Sequence, residues 1–90
     1  MAQCQFFEIS NIDHLEFVLK QLQPGSKKTL PFQAEMVALS DGEEVILDVN
    51  LCAPIYQTGG RYEGDCVWEG EARQIVLNTF LSGLPRLFID

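Results

Sequence analysis

Ninety residues, 47% of them apolar, suit one domain, residues 1–90, and lie far from the composition of a disordered chain. Thirteen acids against six bases give a net charge of −7. That balance argues against nucleic acid or an anionic membrane as a direct partner, because phosphate binding runs on Lys and Arg.

Met1–Ser10 has neither the cationic start nor the apolar run of a signal peptide. No stretch approaches the roughly 20 apolar residues of a membrane span. Cys4, Cys52 and Cys66 form an odd set with no Cys-x-x-Cys spacing, so zinc and redox motifs gain no support. Free thiols and a cytoplasmic location are the expectation.

Cys4–Ile9 reads as a short strand. Ser10 with Asp13 resembles a capping box, and Ile12, Leu15, Val18, Leu19 and Leu22 mark one helical stripe that Pro24-Gly25 ends. Strands are predicted near 30–39, 43–52 and 61–69. Ser40-Asp41-Gly42-Glu43 and Thr58-Gly59-Gly60-Arg61 read as two-residue hairpin turns, where Gly and Asp tolerate φ > 0. Counting outward pairs Phe32 with Leu51 and Leu51 with Trp68, and Met36 with Leu47, on an apolar face. Glu35 with Asp48 and Val37 with Ile46 fall on the other, which Glu63, Asp65 and Glu69 extend.

After Gly70 the spacing of Ala72, Ile75, Val76, Thr79 and Phe80 predicts a second helix, with Gly83 at its C-terminal end and Pro85 preventing its resumption. Arg86–Asp90 is β-prone and could add a short strand. The order β-α-β-β-β-α, with that optional strand, predicts an α+β two-layer sandwich. Two helices would lie on one face of an antiparallel sheet of about four strands.

His14, the only histidine, falls opposite the helix stripe, and no Ser, Cys or carboxylate is tied to it by a recognisable spacing. Gly59-Gly60 lacks the lysine and following helix of a phosphate loop, and Tyr56, Tyr62 and Trp68 sit in too acidic a setting for base stacking. No catalytic residue, metal ligand or cofactor is therefore expected, and the chain reads as a non-enzyme.

The carboxylates offer more. Glu35, Asp48, Glu63, Asp65 and Glu69 on one face, around Val37 and Ile46, suit a basic protein surface, as in an inhibitor or immunity-type protein. Two alternatives rest largely on other residues. One is a small-molecule-binding or enzymatic domain with a pocket near Trp68, Tyr62 and Cys66. The other is a homodimer through Leu77 and Leu81, or through Val37 and Ile46.

Overall fold

Alternation of apolar and polar side chains, rather than helical spacing, governs most of this chain. The computed structural model describes residues 5–56, 60–79 and 83–90. In chain order these form β1 (Gln5–Ile9), α1 (Ile12–Gln21), β2 (Thr29–Ala38), β3 (Glu44–Cys52), β4 (Arg61–Trp68), β5 (Glu71–Asn78) and β6 (Arg86–Ile89). Each strand pairs antiparallel with the next, and β6 closes onto β1 to complete a barrel. Closure removes most of the edges that an open sheet would present.

The expected α+β sandwich with two helices is thus corrected to a closed antiparallel barrel with one described helix. The second helix is β5. Glu69 (φ 53°) and Gly70 (φ 80°) both lie in the left-handed region. They make a tight turn that sets Trp68 opposite Glu71, as a two-residue hairpin requires. Ile75 and Leu77 then point inward and are buried, while Gln74 faces water. The eight residues of β5 fit a helical stripe as well as an alternating one, and such short segments are not separated by periodicity. Barrel closure decides, because β5 carries β6 on its far side. The optional C-terminal strand is real, and it joins β5 to β1.

Both expected loop registers shift, by even numbers of residues. At the first turn the N–H of Ala38 donates to the carbonyl of Glu43 (2.9 Å) and that of Gly42 to Ala38 (2.9 Å). Leu39–Gly42 therefore all lie in the loop, and Gly42 uses its positive φ of 75° to close a wider turn. Phe32 pairs with Val49, not Leu51. At the second, the ladder ends at Cys52 opposite Glu63, and Leu51 faces Gly64 rather than Trp68. Thr58 and Gly59 of that expected turn lie outside the described residues. An even shift leaves every side chain on its expected face, so Phe32, Ala34, Met36, Val49, Leu51 and Cys66 are buried as the alternation implies.

Helix α1 supplies Leu15 and Val18 to this core, and Leu22 joins them from its C-cap. The helix begins one residue later than the capping box implied, at Asn11, whose side chain makes no capping bond. Its carboxamide instead donates to the Gln33 carbonyl (2.8 Å) and accepts from the Glu35 N–H (3.0 Å). β1 pairs with β2 over only three positions, Phe7–Ile9 against Ala38–Met36. Asn11 continues that ladder where β1 has ended. Pro31 faces the same side of β2, where its missing N–H leaves no ladder bond unmade.

Candidate functional site

The outer face of β2, β3 and β4 carries the acidic residues that the alternation singled out. Glu35 and Asp48 are both exposed, but they are not directly opposed. Glu35 pairs with Ile46 and Asp48 with Gln33, so the two carboxylates are diagonal neighbours, with less repulsion than a direct pair. Asp65 lies opposite Asn50, whose Nδ2 donates to it (3.1 Å). Glu63 lies between Cys52 and Val76, with Arg61 3.6 Å away. Glu69 does not extend this face, since it occupies the β4–β5 turn.

The apolar members also rearrange. Val37 is half-buried between Glu8 and Glu44, and it is diagonal to Ile46 rather than paired with it. Ile46 is 67% exposed and Val67 is 65% exposed. Val67 was missed, although parity alone places it between Asp65 and Glu69.

Of these residues, Ile46, Asp48, Asp65 and Val67 meet where β3 and β4 part. The β3–β4 ladder holds for four positions, Val49–Cys52 against Cys66–Glu63, whereas β2–β3 holds for nine. Beyond Val49 the strands diverge. The resulting cleft of about 640 Å3 is lined by Ile46, Leu47, Asp48, Asp65, Val67 and Ala72, together with Asn50 and Cys66. Two carboxylates and no base line it.

A second exposed apolar strip crosses β6 and β1, where the Phe88 and Phe6 rings meet at a tilt, 4.9 Å apart. There the backbone is laddered on both sides of β6, so that strip offers side chains alone.

The other sequence candidates find structural places. The His14 ring, expected to face away from the core stripe, is exposed but stacks on Phe32 at 5.3 Å. Trp68 packs edge-on against Phe7 at 5.6 Å, and Tyr62 packs against the core. Leu77 is 0% exposed, opposite Tyr62 and Leu87. That burial corrects the expected dimer seam through Leu77, and Leu81 lies outside the described residues.

Cys52 and Cys66 are unbonded thiols on opposite faces of the barrel wall; Cys4 lies outside the described residues. Burial, and then the charge of Asp65, push the Cys66 thiol above its ordinary value, with Arg73 pulling the other way. Among the described residues no three His, Cys, Asp or Glu side chains converge as metal ligands. No described helix is long and apolar enough to cross a membrane.

Comparison with known proteins adds nothing to this geometry: no family model, curated protein or solved structure matches the chain.

Proposed function

We propose that the protein is a non-enzymatic binding module that docks on a basic protein surface through the outer face of β2, β3 and β4, as an inhibitor or immunity-type protein would. The supporting observation is the grouping of exposed Glu35, Asp48 and Asp65 around exposed Ile46 and Val67, beside a cleft that no base lines. Carboxylates around an apolar centre suit a cationic partner. Charge steers the encounter and selects the partner, and the apolar centre, once desolvated, slows release.

The test compares wild type with the double variant Glu35→Lys, Asp48→Lys for capture of partners from extract of the native cells, over a salt series. Both side chains point to water, so the variant should melt within a few degrees of wild type. Capture by wild type should weaken as salt shortens the reach of the field to about 8 Å at physiological ionic strength, and the variant should lose it. A folded variant that retains every partner refutes the reading.

A further inference from the structure

The β3–β4 cleft exposes backbone as well as side chains. In an antiparallel ladder, alternate residues aim their N–H and C=O groups to opposite sides. The Ala38–Glu43 bond assigns the odd residues of β3 to β2, and so turns Ile46 and Asp48 toward β4. The Thr79–Gly60 bond likewise assigns the even residues of β4 to β5 and turns Val67 toward β3. The last pair, Val49–Cys66, turns its own groups away from this seam, so the ladder closes on the Val67 N–H and the Asp48 carbonyl and goes no further. Ile46 and the Asp48 N–H therefore have no ladder partner on that side among the described residues.

The β1–β2 seam, which also ends early, is finished differently. Where β1 ends early beside β2, Ser10 donates to the Glu35 carbonyl (2.8 Å), the Asn11 carboxamide bonds Gln33 and Glu35, and α1 packs alongside. Nothing described does the same for β3. An unprotected edge with an exposed apolar residue at its centre is a template for strand addition.

We propose that the edge of β3 at Ile46–Asp48 accepts an extended segment of a partner protein as an added strand, with cationic residues flanking an apolar one. This rests on the reading of the acidic face as a docking surface, and names how the partner engages it. Charge selects the occupant. Along the outer face the edge reads Glu44, Ile46, Asp48, so an added strand meets a carboxylate, an apolar side chain and a carboxylate in turn. A segment Lys-x-Val-x-Lys complements that row, and apolar residues at x fall beside the half-buried Val45 and Leu47.

A second copy of the chain fits worse. The two-fold register that pairs Ile46 with Ile46 sets Glu44 against Asp48 twice, and like charges directly opposed destabilise a strand pair. The register one step along sets Ile46 against Asp48.

The probe is the acetylated, amidated peptide Gly-Lys-Leu-Val-Leu-Lys-Gly, and its control is the same peptide N-methylated at the central valine. N-methylation keeps charge and side chains but removes the donor aimed at the β3 edge. Affinity is measured by titration, with amide hydrogen exchange of the protein read by NMR. The parent peptide should bind and slow exchange at Ile46 and Asp48, and the control should bind roughly tenfold more weakly, one backbone hydrogen bond left unmade. Equal binding of both peptides overturns strand addition but leaves charge docking standing. Failure of the parent peptide also overturns strand addition, while capture by wild type and its loss in the Lys variant test the docking reading independently. Protection of Ile46 and Asp48 that appears without peptide, with doubled mass at high concentration, assigns the edge to a second copy and overturns the proposal.

Discussion

Among the described glycines, Gly64 has the least room for a side chain. It lies inward on β4, between Leu51 of β3 and Ile75 of β5. A Cβ at Gly64 would stand 1.9 Å from the Asn50 carbonyl oxygen and 3.2 Å from the Leu51 Cα, whereas real Cβ contacts essentially never fall under 3.0 Å. Both neighbours are backbone, so no rotamer change relieves the clash, and β3 and β4 must separate by more than an ångström. Overpacking that shifts backbone costs about 1–3 kcal/mol, and a strained ladder bond adds about 1 kcal/mol. The seam has only four pairs over which to spread the distortion.

Gly64→Ala should therefore lose roughly 2–4 kcal/mol, lowering Tm by roughly 10–25 °C in a domain of this size. Gly70→Ala is the control. Gly70 has φ +80° but nothing within 4 Å of its would-be Cβ, so only the left-handed penalty of about 1–2 kcal/mol applies. Urea and thermal unfolding followed by circular dichroism measure both. If Gly64→Ala melts no lower than Gly70→Ala, close approach at this seam is not what selects glycine.

Asn11→Ala removes both bonds to the β2 edge and should cost about 1–3 kcal/mol, with faster hydrogen exchange at the Glu35 amide; unchanged exchange there refutes its role as a ladder extension. In the native protein a thiol reagent should label Cys52, with Cys66 reacting only after unfolding, and mass spectrometry of the labelled peptides decides it. The raised pKa of Cys66 means that the unfolded chain loses that proton first. Its contribution to stability is therefore full below about 9.0, the ordinary thiol value, and is lost as pH rises beyond it. Replacing Cys66 by Ala should flatten that alkaline decline in the urea midpoint, and a decline unchanged in the variant rules the thiol out as its source.

Much of the candidate site was legible in the sequence because a strand alternates with period two. Parity put Glu35, Asp48, Glu63 and Asp65 on one face and Phe32, Met36, Leu51 and Cys66 on the other, and no even register shift could undo that. The helix stripe of Leu15, Val18 and Leu22 was equally legible, since it recurs at the i, i+3, i+7 spacing of one helical face. The pairing of Glu35 with Asp48 was not, because it depended on loop lengths. Asp-Gly marks where a chain can turn without fixing how many residues turn with it.

Alternation along the chain thus determined which side chains face the core and which face water, a local property of the extended backbone. Tertiary structure alone decided that residues 71–78 form a strand, that the sheet closes, and that β3 and β4 part at Val49. Eight residues fit either periodicity, and the balance tips only when β5 finds β4 on one side and β6 on the other. The end of the β3–β4 ladder at Val49 is likewise illegible in either strand alone, because pairing joins residues far apart in sequence.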